Sequence, residues 1–267
     1  MNSLKFKTLL LVLLVGMISV ASSCNKDPEP VDAPSTKGKL KLNFDFFNEN
    51  APMEWGIKAY TNAAGNEYSA YYVKFFISKL TIYQGGNAKV LNKYHNSHYI
   101  ESSRPNTLQW SVVDEIEKGS YDSLSFTFGF NDDDNQSFMF VNQPESNMVW
   151  PEELGGGYHA MQLDGKWRLA NDTLTGFNFH LGKGQIHDAS GTITGFIDNS
   201  FIVSIPASEF SITAENTTSL TVRMDIAKWF ASPYVYNHNT FGGSIMENQD
   251  AMEKVVLNGW DVFSIVN

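Results

Sequence analysis

Between residues 148 and 180 the chain gathers the side chains best suited to chemistry: Met148, Trp150, His159, Met161 and His180. Imidazole nitrogen and thioether sulfur are donors that a soft ion such as Cu(I) accepts, whereas Mg2+ prefers carboxylates and water. Nucleophilic catalysis has no comparable foothold. There is no Gly-x-Ser-x-Gly elbow, no His-Glu-x-x-His pair and no phosphate-cradling glycine loop, and the single cysteine, Cys24, stands near the start of the chain. The residue types point to ion binding rather than to an enzyme.

Strands must position these donors, because strict alternation dominates the sequence. Leu40, Leu42, Phe44 and Phe46 interleave with polar residues, as do Leu124, Phe126, Phe128 and Phe130. A period of two predicts half-buried strands. Further strands are expected at 68–83, 89–91, 99–101, 157–167, 174–181, 201–205 and 220–226, with a last one at 260–265. In the 68–83 strand the apolar phase moves from odd positions (Val73, Phe75, Ile77) to even ones (Leu80, Ile82), so a β-bulge is expected near Ser78 and Lys79. One helix is expected, Asn248 to Leu257, with Asn248 as its cap and Asn258-Gly259 as its stop. The predicted fold is all-β, an antiparallel β-sandwich with long loops and one short C-terminal helix.

On an expected strand from Gly157 to Trp167, His159 and Met161 are two apart and share a face. His180 lies on the neighbouring strand of a predicted hairpin and can approach them across the sheet. Each residue also has a plain structural reading. Met148 and Met161 serve equally as core filling, His159 as a buried histidine beside Met161 and Leu163, and His180 as a solvent-facing residue that leaves the Phe177, Phe179, Leu181 row. His238 precedes a glycine pair and can fold toward the same place, whereas His95, His98 and His187 fall in polar loops. The carboxylate run Asn131 to Gln136 lacks the glycine and distal glutamate of an EF-hand and reads as a solvated acidic loop.

The start of the chain predicts export. Lys5 and Lys7 precede an apolar run from Thr8 to Val20, and Ala21-Ser22-Ser23-Cys24 follows, the order of a signal peptide. That run is about 13 residues, short of the roughly 20 a spanning helix needs. The expected organisation is a signal peptide at 1–23, a lipid-anchored flexible tether at 24–38 and a β-sandwich domain at 39–267. Cys24 is the expected lipidation site, with ordinary cleavage nearby as the alternative. The proline-rich, acidic stretch after Cys24 has little to bury. These features imply a cell-envelope lipoprotein of the outer membrane, held by its N-terminal lipid, with exposure at the cell surface as one of its two orientations. The net charge of −10 over the whole chain offers no electrostatic footprint for nucleic acid.

Several ordered blocks carry a family resemblance. Tyr60-Thr61-Asn62-Ala63-Ala64-Gly65-Asn66-Glu67-Tyr68-Ser69 with Phe75-Phe76-Ile77-Ser78, then Gly119-Ser120-Tyr121-Asp122-Ser123-Leu124, then 148–165 with 177–182, and finally Gly242-Gly243-Ser244-Ile245-Met246-Glu247-Asn248-Gln249 with Asn258-Gly259-Trp260-Asp261, all occur in one chain. Together they resemble the MbnP-like family, copper-associated proteins named for a methanobactin gene cassette and common as lipoproteins in Bacteroidetes. The resemblance implies a lipid-anchored protein that binds copper, specifically Cu(I), for uptake, storage or delivery. His159 and His180 are the favoured ligands, Met148 and Met161 the next candidates, and Trp150 and His238 candidate neighbours. Family members with a Trp-x-Trp pair are associated with an oxidised tryptophan near copper. Here Trp150 is followed by Pro151 and Glu152, so the second tryptophan is missing. The competing expectation is a metal-free interaction module that binds a glycan or an envelope protein through exposed tyrosines: Tyr71, Tyr72, Tyr94, Tyr99, Tyr234 and Tyr236.

Overall fold

The computed structural model describes residues 35–91, 96–206 and 208–266. The predicted signal peptide, Cys24 and the rest of the tether up to residue 34, and Tyr94 and His95, lie outside the described residues. The first strand, Lys37–Asn48, begins two residues before the expected domain start. No helix among the described residues is long and apolar enough to cross a membrane.

Two sheets pack face to face, as the alternation predicts. The six-stranded sheet runs in the order Phe263–Val266, Thr217–Asp225, Lys37–Asn48, Ala51–Pro52, with two short strands also pairing with Lys37–Asn48. The eight-stranded sheet has the order Leu174–Leu181, Met161–Arg168, Glu67–Gln84, Ser123–Phe128, Phe201–Ile205, and three more strands pair with the long Glu67–Gln84 strand. Among the described strands pairing is antiparallel except that Lys37–Asn48 and Thr217–Asp225 run parallel, with one isolated parallel bridge from Asn178 to Ser244. Parallel neighbours need a long crossover, and the whole eight-stranded sheet lies between these two in sequence. The expected helix forms at Gln249–Asn258, and the Asn248 side chain accepts from the Ala251 N–H at 3.0 Å.

Leu40, Leu42, Phe44 and Phe46 from one sheet meet Val73, Phe75 and Ile77 from the other in the main core. Phe75 sits at its centre, with ring centroids 6.4 Å from both Phe44 and Phe46 and 5.6 Å from Phe128. Each such side chain contributes about 1.5–3 kcal/mol on burial. A second, smaller cluster forms on the outer face of the eight-stranded sheet, where Phe76, Tyr99, Phe130, Met148 and Tyr158 pack together with Phe140 against them. The 131–149 loop folds over this face and brings Met148 with it.

The long strand changes facing twice. Opposite Ser125 and Thr127 the register skips from Thr81 to Ser78, and Lys79 takes a positive φ of 51°, which is the expected bulge. A second bulge, not anticipated, lies at Tyr71: Asp164 pairs with Tyr72 while Gly165 pairs with Ala70. Tyr68 and Ala70 therefore face the core at even positions, and Val73 and Phe75 at odd ones.

Among the described residues, two tyrosines of the interaction-module reading are not exposed. Tyr99 and Tyr236 are buried, Tyr99 in the outer cluster and Tyr236 against Phe179, Phe230 and His238, because their rings complete apolar layers; Tyr71 and Tyr234 remain exposed.

His238 opens the short helix His238–Phe241 and is enclosed by aromatic rings, Phe177 at 4.7 Å, Tyr236 at 5.1 Å, Phe230 at 5.2 Å and Trp167 at 5.6 Å. Burial pushes its pKa down from 6.5 to about 4. Between those values the unfolded chain carries a proton on this ring that the folded chain excludes, so stability falls as pH drops from 6.5 to about 4. Below that the contribution is constant. His238→Phe should lose less stability over this window than the wild type in urea unfolding at about pH 7 and about pH 4.5. Equal losses in the two proteins would mean that His238 does not carry the effect.

Candidate metal centre

His159 does not lie on the strand expected for it. The strand begins at Met161, and residues 157–160 form a turn-like approach with a single bridge between Val149 and Tyr158. Gly155, Gly156 and Gly157 all adopt positive φ (113°, 64° and 82°), a run that only glycine accepts without strain. Polar side chains then fix the approach: the Gly157 N–H donates to Ser137 Oγ and the Tyr158 N–H to Asn135 Oδ1, each at 2.8 Å. The result turns His159 to the outer face of the eight-stranded sheet.

His180 reaches the same face by simple alternation. It pairs with Gln162, while Phe179 and Leu181 point into the core. The two imidazoles meet with centroids 5.1 Å apart and planes at 84°. Trp150, fully buried, lies against His159 at 4.7 Å and donates its indole N–H to the Leu154 carbonyl at 3.0 Å.

Each imidazole is held through one nitrogen, and the other is left bare. The Nδ1–H of His159 donates to the Met148 carbonyl at 3.0 Å, while its Nε2 is buried without a partner. The Nε2–H of His180 donates to Asp164 Oδ1 at 2.9 Å, and its Nδ1 is likewise buried and unpartnered. In the neutral rings these bonds put the protons on His159 Nδ1 and His180 Nε2 and leave lone pairs on the other two nitrogens. A buried polar atom left unpaired costs about 1–3 kcal/mol, and two of them on neighbouring rings fit a shared cation.

The electrostatics favour a neutral His159 ring and an ionised Asp164. Burial, and next the charge of His180, push the His159 pKa down to about 3. Burial raises Asp164, but hydrogen bonds from His180 and Tyr72, the His180 charge and the Asn178 amide outweigh it and hold the carboxyl at about 2. Among the described residues no group of three or more His, Cys, Asp and Glu side chains is arranged to hold an ion. The donor set is two imidazoles with a carboxylate behind one of them, a set that copper and zinc both accept.

The other candidates are placed elsewhere. Met161 alternates with Gln162 and faces the main core, opposite His180; its shared face with His159 is lost because His159 precedes the strand. The Met148 thioether fills the outer cluster, and its carbonyl serves His159. His238 packs on Phe177, a core-facing residue of the His180 strand, and so lies behind the sheet from the paired histidines. Glu152, where a second tryptophan would stand in a Trp-x-Trp pair, is exposed in the short helical turn Glu152–Leu154. Sequence reading missed Tyr72 as a partner of Asp164, since the bulge that aims it there left only a faint trace, the even-to-odd change between Ala70 and Val73.

A search of curated proteins gives no match. Among solved structures, MbnP from Methylosinus trichosporium is similar, with 13% identity over 75% of this chain and 80% of that chain and a TM-score of 0.49. The family model for MbnP matches residues 37–249. That span takes in the eight-stranded sheet, the six-stranded sheet apart from its Phe263–Val266 strand, the glycine approach and both paired histidines, and the chain belongs to the MbnP family.

Proposed function

We propose that this protein is a copper-binding member of its family, taking one Cu(I) between His159 and His180 at the cell envelope for uptake, storage or delivery. The observation that carries the reading is the pair of buried, unpartnered nitrogens, His159 Nε2 and His180 Nδ1, on rings 5.1 Å apart. The Met148 carbonyl and Asp164 each engage the opposite nitrogen of one ring, leaving these two nitrogens for an ion. One carboxylate beside two neutral imidazoles balances a single positive charge, which favours a monovalent soft ion over a divalent one in a buried site. Lipidation at Cys24 would hold the domain to the membrane, consistent with a protein that handles an ion crossing the envelope.

The domain purified without its leader and incubated anaerobically with Cu(I) should retain one copper per chain after desalting, and an excess of Mg2+ should not displace it. Retention of no copper, or displacement by Mg2+, would reject the proposal.

A further inference from the structure

The bulge at Tyr71 decides which face of the sheet Tyr72 takes. Without the extra residue, Tyr72 would share the core face with Tyr68 and Ala70. With it, Tyr72 stands directly across from Asp164 on the outer face. Bulges re-aim side chains in this way. Tyr72 and Asp164 are direct cross-strand partners on this face, which sets the Tyr72 hydroxyl beside the carboxylate that accepts from His180 Nε2 and Asn178 Nδ2. Lys74 Nζ lies over the Tyr72 ring at 4.5 Å from its centroid and holds the ring in place.

Building on the assignment of Cu(I) to His159 and His180, we propose that Tyr72 is a positioning residue for the ion site, its hydroxyl fixing the Asp164 carboxylate and through it the tautomer and orientation of His180. A carboxylate that accepts from His180 and Asn178 and has the Tyr72 hydroxyl beside it is kept from turning away from the imidazole. His180 then keeps its proton on Nε2 and its lone pair on Nδ1, on the ring next to the one that bears the bare Nε2 of His159. The other tautomer would put a proton where the ion must sit.

Tyr72→Phe keeps the ring and its Lys74 contact and removes only the hydroxyl. Two readouts test it: the His180 tautomer in ion-free protein, from 15N chemical shifts and couplings, and Cu(I) affinity by competition with a chromophoric chelator. Tyr72→Phe should lower the Nε2–H population of His180 and weaken Cu(I) binding about 10-fold, the low end of the range for groups that support a ligand. Tyr71→Phe, at the bulge but aimed elsewhere, should match the wild type in both. A merely structural role would alter thermal stability without moving the tautomer. If Tyr72→Phe keeps both the tautomer and the affinity, the role of Tyr72 is overturned and the copper assignment stands. If the wild type takes up no Cu(I), the copper assignment falls and the tautomer alone decides, a shift upholding the role of Tyr72 and no shift overturning it.

Discussion

The double variant His159→Ala, His180→Ala is expected to bind Cu(I) more than about 100-fold more weakly than the wild type while remaining folded. Losing a group that only supports a ligand already costs about 10- to 100-fold, and here both nitrogens facing the ion are removed. The fold should survive because the apolar core is left whole: His159 packs against Trp150, which stays in that core, and His180 is held mainly by Asp164. Each replacement also removes a buried unpaired nitrogen, which offsets part of the lost packing. Single variants separate the roles further. His180→Ala leaves the Asp164 carboxylate without one of its donors, so it should cost more stability than His159→Ala, whose lost partner is a backbone carbonyl that also accepts from the His159 N–H at 2.7 Å. Chelator competition gives the affinities, and urea unfolding gives the stabilities. Wild-type affinity in the double variant would remove these histidines from any account of the site.

Much of this arrangement is legible in the sequence, and the misses share one cause. Alternation locates both sheets, and the odd-to-even change after Ile77 locates the bulge at Lys79, because side-chain facing in a strand has a period of two and any slip shows as a change of phase. The capping residue Asn248 locates the helix. The parallel pairing of Lys37–Asn48 with Thr217–Asp225 is not legible, since alternation reports which face a residue takes and not which strand lies beside it. Alternation also places His159 on a strand that in fact starts at Met161. Three consecutive glycines at 155–157 are the available sign that the backbone turns before the strand, which voids any parity argument linking His159 to Met161. The bulge at Tyr71 is harder to see. Only Tyr68 and Ala70 precede it on the core face, and Tyr71 and Tyr72 are alike enough that the pair carries no visible phase. His238 shows the converse limit: nearness in sequence to a matching glycine block gives no information about which side of the sheet it packs on.

Gly165→Ala should be among the most damaging single-methyl additions in the domain, and its effects should reach the ion site. Gly165 lies between Ala70 and Phe177 in the sheet, opposite the point where the Tyr71 bulge shifts the register. A Cβ there would sit 2.2 Å from the Ser69 carbonyl oxygen and 2.5 Å from the Phe177 ring. The ring can rotate in part, but the carbonyl is backbone held in a paired strand, so relief requires the strand itself to move. Overpacking of this kind costs about 1–3 kcal/mol, and the backbone clash places Gly165→Ala near the top of that range. For a domain of this size that corresponds to a fall in Tm of roughly 6–12 °C. Gly176→Ala on the adjacent strand is the control: the nearest atom to its added methyl is the Gly165 carbonyl at 3.9 Å, so it should be neutral or slightly stabilising. The cheapest relief for Gly165→Ala is to shift the 69–71 segment, which undoes the bulge and turns Tyr72 away from Asp164. Cu(I) affinity should then weaken by at least as much as in Tyr72→Phe, although residue 165 touches neither histidine. Thermal unfolding and chelator titration of the two glycine variants check both parts. A Gly165→Ala protein that unfolds within about 2 °C of the wild type would show that the sheet absorbs the methyl without strain. One that is destabilised yet binds Cu(I) normally would show that the bulge and the ion site are independent.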